Sequence, residues 1–284
     1  MTDFIVVGAG PGGCGCARAL IEHGYKVLMI EQTDGYNNDL DPSNAPTQTF
    51  TSTDNFACII GTGRGGGTNH HGLQFVDHQF VRDTIPGRES CHESASNHIR
   101  PASVTGQSLT NKLTELFPDI KSNKVYSRDL QTRFTAFEIL SNIDENLTIE
   151  YKTVTSLLVE NGSANGVLCS DGTTLNCSKG VILAAGAIHT PLILQRSGYG
   201  PTDVLSAAGI DVKADVPAGS TLTDHLGKTY VYSTSYDNET FGHLQLFESS
   251  DESWQVYFTP APNNLMYVTC AQARHTNYNG HVHA

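Results

Sequence analysis

The 284-residue sequence is poor in the features that mark several classes of protein. No stretch approaches the roughly 20 consecutive apolar residues that a membrane-spanning helix needs. The N-terminus enters an apolar run within three residues, without the basic start and cleavage site of a secretory leader, so the expected location is the cytoplasm. Charge is scarce and mostly of one sign: 17 Lys and Arg stand against 29 Asp and Glu, a formal charge of −12. Those basic residues are dispersed, which leaves no footprint for a phosphate backbone and excludes nucleic acid as an expected partner. The seven cysteines form no CxxC pair, so neither a zinc ribbon nor a redox dithiol is signalled. Cys14 and Cys16 are read as buried small apolar residues. Asn-x-Ser/Thr occurs at Asn146, Asn161, Asn176 and Asn238, and without an export signal this reads as chance. There is no internal repeat and no Gly-x-Ser-x-Gly elbow, which removes an α/β-hydrolase. His275, His281 and His283 lie in a polar tail without a convincing ligand spacing, and no metal site is expected.

What is present begins at once. Phe4-Ile5-Val6-Val7 reads as a buried parallel strand, followed by the turn Gly8-Ala9-Gly10-Pro11-Gly12-Gly13. Cys14 to His23 carries apolar residues at helical spacing, Gly24 ends it, and Lys26 to Ile30 makes a second strand with Glu31 just past its end. In Gly8-x-Gly10-x-x-Gly13 the first glycine permits the tight turn, the second lets backbone N–H groups approach a pyrophosphate, and the third allows close packing of helix on strand. The helix N-terminus adds its partial positive charge. Glu31 can accept hydrogen bonds from a ribose diol, which favours FAD or NAD over NADP.

Downstream, residues 34–56 read as a polar excursion and 77–106 as loop, with a short amphipathic helix over Gln107–Phe117. The stretches Leu147–Tyr151, Val154–Glu160, Gly166–Cys169 and Gly180–Ala184 read as strands of a small antiparallel meander that returns to a buried strand, with turns at Asn161-Gly162 and Asp171-Gly172. Helical turns follow over 187–197 and 201–208, and further strands after Gly227.

Three motifs in order resemble the glucose-methanol-choline (GMC) oxidoreductases. Gly8-Ala9-Gly10-Pro11-Gly12-Gly13-Cys14 with Ala17 and Leu20 is similar to their opening. Val181-Ile182-Leu183-Ala184-Ala185-Gly186-Ala187-Ile188-His189-Thr190-Pro191, continuing through Leu194 and Ser197-Gly198-Tyr199-Gly200-Pro201, resembles their second signature nearly position for position. Val216-Pro217-Ala218-Gly219 through Leu222-Thr223-Asp224-His225 is similar to the segment that follows it.

The resemblance implies an α/β fold: a Rossmann-like FAD-binding domain with a central parallel sheet, helices on one face and an antiparallel meander on the other, plus the start of a substrate domain. It divides the chain into 1–75 (first part of the FAD domain), 76–130 (lid or substrate-side excursion), 131–228 (second part of the FAD domain) and 229–284 (beginning of the substrate domain). The cofactor-binding residues it implies are Gly8, Gly10, Gly13 and Glu31 at the ADP moiety, Val154 beside the adenine, Ala185 and Gly186 near the nucleotide, and Gly65, Gly66, Thr68 and His70 along the pyrophosphate and flavin. His70 falls where some members carry a histidine bonded to the flavin 8α-methyl; the other reading is a polar loop that lines the pocket. His225 more simply orders a loop.

The implied activity is hydride transfer from an alcohol to flavin N5, with oxygen or another acceptor taking the electrons. The family's late segment with a His-Pro-x-Gly-type motif, which supplies the proton-accepting pair, has no counterpart here, so the catalytic base is unassigned and the chain looks like roughly half of such an enzyme. The alternative is a flavin-binding protein with a structural or binding role. A pyridine-nucleotide dehydrogenase is disfavoured, because the later motifs have no role in one. Substrate identity and oligomeric state are not legible.

Overall fold

The computed structural model describes residues 1–39, 42–55, 57–75, 87–103, 108–122, 124–125, 127, 129, 131–143, 145–225, 227–233, 245–261, 263–272 and 280–283. In chain order the elements that matter here begin with β1 (Phe4–Val7), α1 (Pro11–Glu22), β2 (Val27–Glu31), β3 (Thr47–Thr51) and β4 (Ala57–Gly61). Next come α2 (Arg88–Ile99), α3 (Ser108–Leu116), β5 (Leu147–Tyr151), β6 (Val154–Glu160), β7 (Ser163–Cys169), β8 (Thr174–Asn176), β9 (Gly180–Leu183) and α4 (Gly186–Arg196). The last strands are β10 (Gly227–Ser233), β11 (Gln245–Glu248), β12 (Trp254–Ala261) and β13 (Leu265–Gln272). The chain divides into two compact units: Met1–His71 with Thr135–Leu222 and Asn279–Ala284, and Gly72–Phe134 with Thr223–Tyr278.

The first unit is built on a parallel sheet of order β9-β1-β2-β5. A parallel strand covered on both faces must be apolar along its whole length. In β1, Ile5 and Val7 point to one face and Val6 to the other, all nearly inaccessible to solvent. Val6 and Met29 pack with Cys14 and Ala17 of α1 on one side. Ile5, Val7, Leu28 and Ile30 pack with Val154, Val167 and Cys169 on the other, where β6, β7 and β8 form a three-stranded antiparallel meander. Each such aliphatic side chain contributes about 1.5–3 kcal/mol on burial, so the two-faced core fixes the sheet between helix and meander. This is the Rossmann-like α/β arrangement that the motifs imply.

Four local expectations differ from the structure. Leu147–Tyr151 belongs to the central sheet, parallel to β2, and not to the meander. Within the polar stretch 34–56 the chain forms β3, which pairs with β4 as an antiparallel hairpin. The stretch 77–106 contains the helix α2, whose mixed Arg-Glu-Ser-Cys-His sequence gives no apolar stripe to read; residues 76–86 and 104–107 lie outside the described ones. Cys14 is buried as expected but Cys16 is exposed, because neighbours two apart on a helix face different directions. The Asn161-Gly162 turn joins β6 to β7 with φ of +51° and +78°, the positive pair that a two-residue hairpin demands.

The second unit is an antiparallel sheet of order β10-β13-β12-β11, extended by Lys121–Ser122. Phe247, 1% exposed, meets Phe258 edge-on with ring centres 5.9 Å apart. The outer strand β10 is exposed along its whole length.

Candidate cofactor site

The site begins where β1 ends. Gly8 turns the chain at φ +103°, and a Cβ there would run into the carbonyl of Ala184 just past β9. Two residues on, Gly10 is the N-cap of α1, without a side-chain cap and with no acidic residue in the first turn. Pro11 occupies the first helical position, where its missing N–H costs nothing. The first intrahelical bond is Cys14 N–H to the Gly10 carbonyl (2.9 Å), so the N–H groups of Gly12 and Gly13 have no acceptor within the helix. A Cβ on Gly13 would collide with the Gly8 carbonyl, so only glycine lets the helix sit this close to the turn.

Glu31 is the last residue of β2 and is buried. Its Oε2 accepts the Ala9 N–H at 2.7 Å, and its Oε1 accepts the N–H groups of Gln32 (2.8 Å) and Gly63 (3.2 Å). Burial pushes its pKa above the ordinary carboxylate value, against the pull of those N–H groups and of the Thr33 backbone. One carboxylate thus ties the first glycine turn to a loop more than thirty residues away.

That second loop is pressed against the first. Gly65 donates its N–H to the Ala9 carbonyl (2.9 Å), and Gly66, at φ +52°, would place a Cβ 2.9 Å from the Gly10 Cα. Gly65 caps the 3-10 turn Gly66–Asn69. Inside that turn the buried Thr68 donates its hydroxyl to the Gly65 carbonyl (2.7 Å) and accepts the Ala136 N–H (2.8 Å). Asn69, fully buried, donates Nδ2–H to the Thr62 carbonyl (2.9 Å) and accepts the Asn37 N–H (3.2 Å). His70 follows as the C-cap, half-buried.

Ala185 caps α4 and Gly186 opens it at φ +81°, again with no acidic residue in the first turn. Because β9 lies beside β1, both helices start from the carboxyl ends of neighbouring parallel strands. At the fourth strand, Tyr151 pairs with Glu31 and Lys152 donates its N–H to the Glu31 carbonyl (2.9 Å), so the chain leaves the sheet beside Glu31 to reach Val154. The Val154 side chain itself packs into the core with Ile5 and Val167.

Gly8, Gly10, Gly13, Glu31, Gly65, Gly66 and Thr68 are therefore brought together at one edge of the sheet, with Ala185 and Gly186 at the start of the neighbouring helix. Sequence reasoning missed Gly63, whose N–H reaches Glu31, although the Gly61-Thr62-Gly63 spacing was the available signal. It also missed Arg64, whose guanidinium lies 5.3 Å from the ring centre of Tyr36 and 5.6 Å from that of Phe137 while Nε–H donates to the Asp34 carbonyl (3.1 Å). His225 donates Nδ1–H to the Gln272 carbonyl (2.7 Å), a loop-ordering bond. Among the described residues, no group of three or more His, Cys, Asp or Glu stands together to hold a metal ion, and no helix is long and apolar enough to cross a membrane.

The space left by missing side chains fits a dinucleotide. Gly10 has nothing nearer than the Gly66 Cα at 3.9 Å, Gly12 nothing nearer than the Ala184 Cβ at 3.9 Å, and Gly67 and Gly186 face open space. Backbone N–H groups at an uncapped helix start, with an acid at the end of the next strand, suit a pyrophosphate and a ribose diol. The fold and this cradle define a dinucleotide-binding α/β protein.

Comparison with known proteins narrows the class. Residues 135–227 match the family model described as GMC oxidoreductase, and residues 6–36 match that of the NAD(P)-binding Rossmann-like domain. An oxygen-dependent choline dehydrogenase from Pectobacterium carotovorum is 39% identical over 108 residues, covering 36% of this chain and 19% of its own. (R)-mandelonitrile lyase 1 from Prunus serotina is 27% identical over 288 residues, covering 78% and 48%. In three dimensions the chain resembles pyridoxine 4-oxidase from Mesorbium loti with a TM-score of 0.75 at 19% identity, covering 97% of this chain and 72% of that one. Residues 135–227 are thus similar to the GMC oxidoreductases, and the fold is shared with solved flavoproteins such as the formate oxidase of Aspergillus oryzae, which carries FAD. The chain spans at most about half the length of the curated relatives it matches.

Proposed function

We propose that this chain holds FAD for the oxidation of an alcohol. The observation that carries the reading is the apposition of two glycine loops, Gly8–Gly13 and Gly63–Gly66, clamped by Glu31 at an uncapped helix start. FAD supplies the acceptor for the hydride that leaves the carbinol carbon; oxygen or another acceptor then takes the electrons.

In this reading the chain's own residues bind and orient. The N–H groups at the start of α1 meet the pyrophosphate, and Glu31, at the end of the second strand, stands at the position for the adenosine ribose. The run Gly65–Thr68 follows the pyrophosphate toward the flavin. Val154 passes the adenine with its backbone, and Ala185 and Gly186 leave room for the nucleotide at the next helix. His70 would stand at the flavin end of the second loop, where its neutral imidazole nitrogen would bond the 8α-carbon as that methyl loses a proton and the flavin takes up the electron pair, which oxygen then removes.

The test is a visible spectrum of the purified protein, repeated after acid precipitation and after anaerobic addition of a panel of alcohols. A flavin band that bleaches with an alcohol supports the proposal. No flavin band, in protein purified as made or after incubation with FAD, sinks it. A band that never bleaches turns the reading to a flavin-binding role without oxidation. Colour released entirely into the acid supernatant removes the covalent role of His70 and leaves the rest standing.

A further inference from the structure

Residues 280–283 return to the first unit and are pinned there. Leu222 and Gly280 exchange both backbone hydrogen bonds (2.6 and 3.0 Å), and Val282 donates its N–H to the Gly219 carbonyl (2.9 Å). The Val282 carbonyl accepts Nε2–H of the fully buried Gln195 (2.8 Å), and the Val282 side chain is itself buried. With the backbone held at both sides of residue 281 and Val282 turned inward, His281 and His283 come out together into solvent. Their rings are 5.7 Å apart at the centres and tilted by 32°.

The tautomer of His281 is set by its partner. Its Nδ1 lies 2.7 Å from the Ser220 carbonyl, which can only accept, so Nδ1 carries the proton and Nε2 of the neutral ring carries the lone pair. A backbone carbonyl in this position is the outer support that metal-ligating histidines usually have. The spacing is close to what ligation needs: with a metal–nitrogen bond of about 2.0–2.1 Å and roughly 1.1 Å from nitrogen to ring centre, two ring centres lie about 5 Å apart in tetrahedral ligation and about 4.5 Å apart as neighbours in the square plane of copper(II). A small side-chain rotation closes the difference, and the pinned backbone means that little further ordering is needed.

We propose that His281 and His283 form a binding site for a divalent transition-metal ion, with two ring nitrogens from the protein and water in the remaining positions. Imidazole without thiolate or carboxylate suits copper(II), nickel(II) and zinc(II), and copper(II) binds such a pair most tightly. With only two protein ligands the site is an open, exchanging one and not a structural centre.

The test is titration of the purified full chain, as isolated, by copper(II) chloride in a non-coordinating buffer. Calorimetry gives the affinity, and the nitrogen hyperfine pattern in electron paramagnetic resonance gives the ligands. One ion per chain with two-nitrogen coupling is expected, and binding weakened by about tenfold or more in both His281→Ala and His283→Ala. Both side chains are exposed, so thermal melts without metal should match the parent chain. Equal copper affinity and stoichiometry in the His281→Ala/His283→Ala double variant would overturn the proposal. So would a loss confined to one of the two single variants.

Discussion

Gly13 and Gly15 sit two positions apart in α1 and respond to a side chain in opposite ways. A Cβ on Gly13 meets the Gly8 carbonyl, whereas one on Gly15 meets nothing within 4 Å. Gly13→Ala is expected to lower stability by at least about 2 kcal/mol, since backbone must move to relieve the clash, and to reduce flavin retention with it. Gly15→Ala is expected to raise stability by about 0.5–1 kcal/mol, the usual gain for alanine over glycine inside a helix. Chemical denaturation of the two variants checks both signs. Glu31 gives a second residue-scale prediction. Glu31→Ala leaves the Ala9 and Gly63 N–H groups without their acceptor, at about 1–3 kcal/mol each, so the flavin-free chain should melt earlier even before cofactor affinity is measured. Burial raises the Glu31 pKa, so the folded chain binds that proton more tightly than the unfolded one. Its contribution is full at low pH and declines as pH rises through the folded value; Glu31→Gln should remove that slope in melts across the carboxylate range.

At the scale of elements, an aromatic contact joins the hairpin β3–β4 to helix α4. His189 lies edge-on to Phe50 with ring centres 5.4 Å apart, and burial, with a smaller push from Arg196, lowers its pKa from 6.5. The folded ring gives up its proton more readily than the unfolded one. The stability it contributes is therefore present above pH 6.5 and lost as pH falls through that value toward the folded pKa. Melting temperatures of the parent chain should fall more between pH 7 and about pH 5.5 than those of His189→Leu; parallel curves would refute this. Elements also show where local reading succeeds. β1, α1 and β2 were legible because each carries its own periodicity and its own stop signal, and the Asn161-Gly162 hairpin because the turn chemistry is local. β5 was assigned to the wrong sheet, since five alternating residues look alike whether they join a meander or pair with a strand more than a hundred positions away. Helix α2 escaped because its sequence lacks an apolar face.

For the whole molecule, the first unit supplies an apolar core on both faces of its parallel sheet and leaves its glycine edge open. A cofactor that binds this folded unit and not the unfolded chain must stabilise it. Free FAD at 100 times its dissociation constant is expected to add about 2.7 kcal/mol, read as a rise in melting temperature, and Gly10→Val, which fills the cradle, should abolish the rise. The sequence by itself determined the cofactor class: glycine spacing, the acid after the second strand and the order of the GMC-like motifs all lie in short stretches whose chemistry is local. It also singled out Gly65, Gly66 and Thr68, in a second glycine loop that the fold sets against the first. Only the tertiary structure decided that Gly63 and Ala9 share one carboxylate, that Gly66 closes on Gly10, and that the segment carrying His281 and His283 is pinned to Gly219 and Leu222. Those relations depend on chain segments far apart in sequence meeting with matched hydrogen bonds, which no local pattern of residues encodes.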